Sequence, residues 1–168
     1  MPVGYKNSSE GYLQPALVAF RAAHEPHRFP GIDEDGQTSI VSTGGNTSGH
    51  VILRGGRERP NYDPRLVTEA AAQLEAAGLP PPRLMVDCSH ANSGKRRERQ
   101  QDVWSRHRAG RGGSPLIGAM LESNRVEGRQ ELAGDPSGLR YDVSITDACI
   151  GWEETGRLLR EASERPTG

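Results

Sequence analysis

The sequence predicts an α/β fold in which parallel strands alternate with crossover helices. Short apolar runs recur along the 168 residues, amphipathic runs with helical spacing separate them, and the resulting order is β-α-β-α-β-α. A strand that is followed by a helix returns to a parallel neighbour, so this order indicates a parallel sheet with helices packed against it. At this length we expect one domain over residues 1–168.

The first part of the chain supplies a strand, a helix and two further strands. Residues 2–5 form a strand candidate, and residues 13–20 place apolar side chains on one face of a helix. Residues 25–37 are rich in proline, glycine and aspartate, which predicts a loop with room for a small hairpin. Residues 39–41 and 50–53 are strand-like.

The clearest helix begins at Asp63 and Pro64. Aspartate is a favoured N-cap, and proline is tolerated at the first helical position. The apolar spacing continues to Gly78, which is followed by three prolines and ends the helix. Residues 83–86 then form the next strand candidate.

The remaining elements are a charged helix, an apolar strand, a loop and a last helix. Ser93 is expected to cap the charged helix over residues 94–109. Residues 115–121 are apolar on both faces, as buried parallel strands are. Residues 123–141 are loop-like, and the last helix spans about residues 150–162.

The composition argues against several classes of partner. The 21 basic and 22 acidic side chains leave a formal net charge of −1, which provides no general attraction for nucleic acid or an anionic membrane. The basic run at residues 95–99 contains an acidic residue and lies on a predicted helix, which favours a solvated face over a nucleic-acid patch. The apolar runs are too short to span a bilayer. With no visible secretory signal and only Cys88 and Cys149, expected to be reduced, the prediction is a soluble cytoplasmic protein.

Charged side chains occur where the predicted strands end. Lys6, Arg54, His90 and Glu122 each close a strand candidate. In parallel α/β folds the carboxyl ends of the strands meet at one edge of the sheet, where the active site lies. We therefore expect these side chains to converge although they are distant in sequence.

The residue types suit an anion and a divalent metal. Lys6 and Arg54 are cations for a substrate that carries phosphate and carboxylate groups, and the two glycines after Arg54 allow backbone amides to approach the same anion. His90, Glu122 and Asp147 are nitrogen and oxygen donors for a divalent metal with an open position. Such a metal polarises a carbonyl group as a Lewis acid.

Each of these residues also has a purely structural interpretation. His90 is then a hydrogen-bonded structural histidine, and Arg54 forms a surface salt bridge. Glu122 and Asp147 are then helix caps. Alternation along a strand places Cys88 on the same face as His90, but no second pair of ligands completes a zinc site.

Short motifs occur in a fixed order along nearly the whole chain. They lie at residues 6–11, 43–46, 50–56, 60–62, 87–95, 122–124, 127–128 and 144–153. Together they resemble the motifs of the class I 3-deoxy-D-arabino-heptulosonate 7-phosphate (DAHP) synthases, and the last one is long enough to be highly specific. Ser8, Ser9 and Glu10 depart from the Gly-Thr-Asp of the family.

The resemblance implies a fold and a set of site residues. Family members are (β/α)8 TIM barrels, and this chain is similar to the C-terminal half-barrel, about strands five to eight with their helices. Lys6 and Arg54 fall where the family contacts phosphoenolpyruvate. His90, Glu122 and Asp147 fall on three of the family's metal ligands. The implied metal is Mn2+, with Fe2+, Co2+ or Zn2+ as alternatives.

The resemblance also implies a reaction. The family condenses phosphoenolpyruvate with erythrose 4-phosphate to give DAHP and phosphate, the first step of the shikimate pathway and of aromatic amino acid biosynthesis. Lys6 and His90 are the implied catalytic residues. Residues 26–40 fall where the family has its regulatory hairpin.

Part of the family's site has no counterpart in this chain. The family's remaining metal ligand is a cysteine on an early strand, and further substrate-binding cations come from the same missing half. We therefore expect activity when a complementing N-terminal half or a homo-oligomer completes the site. The alternative is a truncated, non-catalytic remnant or a half-barrel module that binds anions.

Overall fold

A computed structural model of the chain describes residues 1–80, 83–109 and 114–164. The strands within these ranges are β1 (Val3–Lys6), β2 (His27–Ile32), β3 (Thr38–Thr43), β4 (Gly49–Leu53), β5 (Leu84–Asp87) and β6 (Leu116–Met120). The helices are α1 (Gln14–His24), α2 (Pro64–Ala76), α3 (Gln100–Ala109) and α4 (Trp152–Ser163).

The strands β1, β4, β5 and β6 form a parallel sheet in that order, which confirms the predicted α/β class. Lys6 lies opposite Ile52, and Ile52 lies opposite Met85 on the next strand. Asp87 in turn lies opposite Met120. Because the strands are parallel and adjacent, their carboxyl ends lie at one edge of the sheet.

One face of the sheet is covered by helices. Leu53 and Leu84 pack in a core with α1 and α2, and Val86 packs in a second core with α3 and α4. Since side chains alternate along a strand, Lys6 and Asp87 lie on the opposite face. The apolar cores thus hold the strands in place while the polar ends of the strands face away from the helices.

The segment predicted as a loop is a hairpin. β2 pairs with β3 in an antiparallel ladder from His27–Thr43 to Ile32–Thr38, separate from the parallel sheet. The turn is stabilised by Asp33, whose side chain accepts hydrogen bonds from the amides of Asp35 and Gln37. The small hairpin considered for residues 25–37 is therefore present, and the loop prediction was wrong only for residues 27–32.

Of two predicted helix starts, one is confirmed and the other is wrong. Asp63 caps α2 as expected, because its carboxylate accepts from the amide of Arg65 at 3.0 Å. The charged helix, however, begins at Gln100 after a short 3-10 turn, and not at residue 94. Ser93 donates its hydroxyl to the carbonyl of His90 at 3.3 Å and caps no helix.

β6 is less buried than its apolar sequence suggests. Ile117 is 53% exposed, and β6 is the last strand of the sheet in the described part of the chain. An edge strand has a neighbour on one side alone, which accounts for the exposure. Residues 123–141 are irregular, as predicted, apart from a short 3-10 turn at Pro136–Gly138. Among the helices of the described ranges, none has the length and apolar character needed to cross a membrane.

Candidate metal and anion site

His90 lies at the centre of a cluster of carboxylates at the carboxyl ends of the strands. Its Nε2 lies 3.1 Å from Oε1 of Glu122 and 3.4 Å from Oδ2 of Asp87. Its Nδ1 lies 3.6 Å from Oδ2 of Asp147. The imidazole therefore connects carboxylates from three separate parts of the chain.

The backbone around His90 places its ring in this cluster. His90 follows β5 in a turn and has a φ of +48°, a conformation that side-chain-bearing residues adopt rarely. Its carbonyl accepts from the amide of Lys95 at 2.6 Å and from the Ser93 hydroxyl. The strand alternation used in the sequence analysis has ended by this point, so its prediction that Cys88 shares a face with His90 was wrong. Cys88 is fully buried in the core between β5, α3 and α4.

Asp87 is the residue of this site that the sequence analysis missed. It ends β5 with no solvent exposure, and its Oδ2 forms an ion pair with Nζ of Lys6 at 2.7 Å. Its Oδ1 accepts from the amide of Ser89 at 2.9 Å. A buried carboxylate at a strand end needs such partners, because an unpaired buried charge is costly. The signal in the sequence was an acidic residue that ends the otherwise apolar strand β5.

Lys6 belongs to the same cluster. Besides its ion pair with Asp87, its Nζ lies 3.4 Å from Nε2 of His90. The Lys6 side chain is about one third exposed, so the residue is accessible to a ligand while it is paired with Asp87. The predicted convergence of Lys6, His90 and Glu122 is thus present in the structure.

The electrostatics of the cluster favour a cation. Burial raises the pKa of the Glu122 carboxyl, His90 lowers it, and the nearby Asp147 and Asp87 raise it further. Ligand atoms of Asp87, His90 and Glu122 lie within 4.8 Å of one another, which is a separation that one ion can bridge. A nitrogen and several carboxylate oxygens are donors that Mn2+ and related divalent ions accept. The residues therefore fit a divalent metal.

Asp147 lies at the rim of this cluster. Its side chain is 47% exposed, whereas those of His90 and Glu122 are 12% and 21% exposed. It lies beside His90 and outside the tight group of three ligand atoms. It caps none of the described helices, because the N-cap of α4 is Gly151.

Arg54 follows β4, the strand that pairs with β1. Its amide donates to Oδ1 of Asn7 at 2.8 Å, and the side chain is partly buried. Among the described residues, no carboxylate or other acceptor pairs with its guanidinium group. The alternative of a surface salt bridge therefore finds no support, and the fork of donors remains available to an anion.

Comparison with known proteins gives the same family along almost the whole chain. Residues 1–160 match the model of the group described as the “DAHP synthetase I family”. The chain is 49% identical over 170 residues to the Tyr-sensitive phospho-2-dehydro-3-deoxyheptonate aldolase of Escherichia coli (strain K12), covering 100% of this chain and 47% of the relative. It is 43% identical to the phenylalanine-inhibited aldolase of Saccharomyces cerevisiae, over 97% of this chain and 46% of the relative.

A solved structure agrees with the sequence relatives. The phospho-2-dehydro-3-deoxyheptonate aldolase of Francisella tularensis SCHU S4 superposes with a TM-score of 0.84 and 37% identity. The match covers 96% of this chain and 47% of that structure. The chain therefore spans about half the length of the relatives it matches.

Proposed function

Since this chain belongs to the DAHP synthetase I family, we propose that it supplies one half of a DAHP synthase active site. The reaction joins phosphoenolpyruvate to erythrose 4-phosphate and releases DAHP and phosphate, at the start of aromatic amino acid biosynthesis. The observation that carries the proposal is the cluster of Lys6, Asp87, His90 and Glu122 at the carboxyl ends of parallel strands. This is the position at which α/β barrels hold their catalytic residues.

The metal ligands proposed in this chain are His90, Glu122 and Asp147. When bound, a divalent metal such as Mn2+, Fe2+, Co2+ or Zn2+ supplies Lewis acidity that polarises the aldehyde of erythrose 4-phosphate. The partly buried Glu122 and His90 offer donors that are already close together, which reduces the cost of organising the site. Asp87 lies close enough to add a ligand atom or to remain paired with Lys6.

Lys6 and Arg54 are proposed to bind phosphoenolpyruvate. They follow neighbouring strands, so two cations face one edge of the sheet. Held there, carbon 3 of phosphoenolpyruvate forms the new bond to the aldehyde carbon, and water adds at carbon 2 as phosphate leaves. Lys6 and Arg54 contribute by fixing the position of the donor and by balancing its negative charge. The Asp87 carboxylate holds the Lys6 ammonium in place through their ion pair.

The (β/α)8 barrel is the proposed architecture of the completed protein. Four parallel strands with helices on one face make half of such a barrel, and β1 and β6 are left as edges in the described part of the chain. A complementary N-terminal half, or a second copy of this chain, is proposed to cover these edges. Of the two, only the N-terminal half would also supply the substrate cations and the metal ligand that this chain lacks.

Metal binding by His90 tests the proposal. Calorimetric titration of the chain with Mn2+ is expected to show one site, and His90→Ala is expected to weaken it by at least about tenfold. The matched control is His27→Ala, because His27 is exposed at the start of the hairpin and contacts none of the proposed ligands. Equal Mn2+ affinity in His90→Ala and His27→Ala would contradict the ligand assignment.

A further inference from the structure

A network of three asparagines surrounds the backbone that carries Arg54. We propose that Asn7, Asn61 and Asn92 are positioning residues that fix Arg54 for a phosphate-bearing ligand. This inference rests on the proposed function, because the ligand is the anion assigned to Lys6 and Arg54. None of the three asparagines is a metal or substrate contact in that assignment.

The network holds residues 53–55 from three directions. Asn7 accepts from the amide of Arg54 at 2.8 Å and donates to the carbonyl of Gly55 at 2.9 Å. Asn61 accepts from the amide of Gly55 at 2.7 Å. Asn92 donates to the carbonyl of Leu53 at 2.9 Å. The peptide groups on both sides of Arg54 are therefore fixed by side chains.

The asparagines also bind one another and the neighbouring strands. Nδ2 of Asn61 donates to Oδ1 of Asn7 at 3.1 Å, and the amide of Asn61 donates to Oδ1 of Asn92 at 2.9 Å. Asn92 donates a second hydrogen bond to the carbonyl of Asp87 at 2.8 Å. The network thus links the ends of β1, β4 and β5, which carry Lys6, Arg54 and Asp87. Relative movement of these three charged groups is restricted by it.

Burial makes these hydrogen bonds costly to break. Asn7 is 2% exposed and Asn92 is 4% exposed, so the bonds lie largely out of water. A buried amide that loses its partner bears the full cost of desolvation, and a connected network is stronger than its separate bonds. The arrangement therefore has few alternatives of similar energy.

Gly55 shows how closely the loop is held. It has a φ of +77°, and a Cβ there would lie 2.7 Å from the backbone nitrogen of Asn92 and 2.8 Å from its Oδ1. A side chain at this position would push Asn92 away. The conformation of the loop after Arg54 thus requires both a glycine at position 55 and its contact with Asn92.

The arrangement matters for Arg54 because its guanidinium has no acceptor among the described residues that would orient it. The network fixes the backbone from which the side chain extends, and with it the position of the Arg54 Cα and Cβ atoms. A ligand-binding arginine that is held in advance loses less conformational entropy on binding.

The test uses the full chain and the variant Asn61→Leu, with Asn46→Leu as a matched control. Asn46 is also partly buried and also donates and accepts one side-chain hydrogen bond each, but it precedes β4 at the opposite end of the sheet. Two readouts are taken: amide hydrogen exchange at Arg54 and Gly55, and the affinity for inorganic phosphate followed by the NMR shift of the Arg54 guanidinium.

In Asn61→Leu, the Gly55 amide is expected to exchange about tenfold faster, and phosphate affinity is expected to fall about tenfold, as suits the loss of one or two hydrogen bonds. In Asn46→Leu, both values are expected to match the unaltered chain. Unchanged exchange at Gly55, or faster exchange with unchanged phosphate affinity, would overturn the positioning role. If Asn61→Leu does not fold, Asn61→Ser is measured with the same expectations.

The two proposals fail in different ways. If the unaltered chain gives no saturable response to phosphate, the anion site proposed for Lys6 and Arg54 fails, and the positioning role fails with it. If the unaltered chain binds phosphate and Asn61→Leu binds it equally well, the positioning role alone is lost.

Discussion

At the scale of single residues, the site depends on which side chains are buried together. Asp87 is fully buried, yet it is partnered by Lys6, His90 and the amide of Ser89. Each of these contacts offsets part of the cost of burying its carboxylate. The same residue therefore stabilises the strand end and orients two groups of the candidate site.

Cys88 and Cys149 are expected to differ in reactivity. Burial, together with the negative charge of Asp87, raises the pKa of the Cys88 thiol to about 12, so almost no reactive thiolate forms at pH 8. Cys149 is partly exposed, although burial also raises the pKa of its thiol. Treatment with iodoacetamide at pH 8, followed by mass spectrometry, is expected to label Cys149 slowly and Cys88 only after denaturation.

The pH dependence of Cys88 labelling follows from the sign of its pKa shift. Between the ordinary thiol pKa of 9.0 and the raised pKa of about 12, Cys88 is protonated in the folded chain and deprotonated in the unfolded chain. The free energy of unfolding therefore falls as the pH rises through that range. Labelling of Cys88 in the folded chain at pH 8, at a rate similar to that of Cys149, would contradict the buried placement.

Individual site residues were predictable to different degrees. Lys6, His90 and Glu122 were found because they follow apolar strands, and the structure brings them together. Asp87 was missed because it lies inside the strand, where pattern analysis looks for apolar residues. The asparagines were missed as well, because an amide gives no sign in the sequence of which backbone group it will bind.

At the scale of elements, the residues around a helix start predicted the first residue of α2 correctly and that of α3 incorrectly. α2 begins where Asp63 and Pro64 predict, since the cap is satisfied within three residues. α3 begins later than predicted, because residues 90–95 form a turn with positive φ at His90, Gly94 and Lys95. That turn places the His90 side chain in the site. Its positive φ angles cannot be inferred from the spacing of apolar residues, so the sequence pattern predicted a helix there.

The capping contribution of Asp63 is open to measurement. Asp63→Ala is expected to lower the free energy of unfolding by about 1 kcal/mol, because the amide of Arg65 loses its acceptor. Asp35→Ala serves as the control, since Asp35 lies in the exposed turn of the hairpin. Urea denaturation followed by circular dichroism gives both values, and equal stability of the two variants would show that the cap contributes nothing.

At the scale of the whole molecule, the chain spans about half the length of the relatives it matches. Its parallel sheet and the class of fold were predictable, because the alternation of strands and helices is a property of the entire sequence. The separate hairpin was only partly foreseen, since β3 has the pattern of a sheet strand but pairs with β2. Pairing partners depend on contacts that one short strand does not specify.

The length of the relatives bears on function at this scale. The chain covers 47% of the Escherichia coli relative and 47% of the Francisella tularensis structure. The face of its sheet opposite the helices carries Lys6 and Asp87, which are polar groups that a completed barrel would enclose with substrate. We therefore expect catalysis to need both halves.

Phosphate release from phosphoenolpyruvate and erythrose 4-phosphate is the most direct measurement of this proposal. It is made with Mn2+ on the chain alone, and on the chain mixed with the amino-terminal half of the Tyr-sensitive Escherichia coli relative. We expect no turnover from either part alone, and turnover by the mixture that a chelator and His90→Ala both abolish. A mixture that forms a complex without releasing phosphate, or one that is equally active with His90→Ala, would contradict the proposed active site.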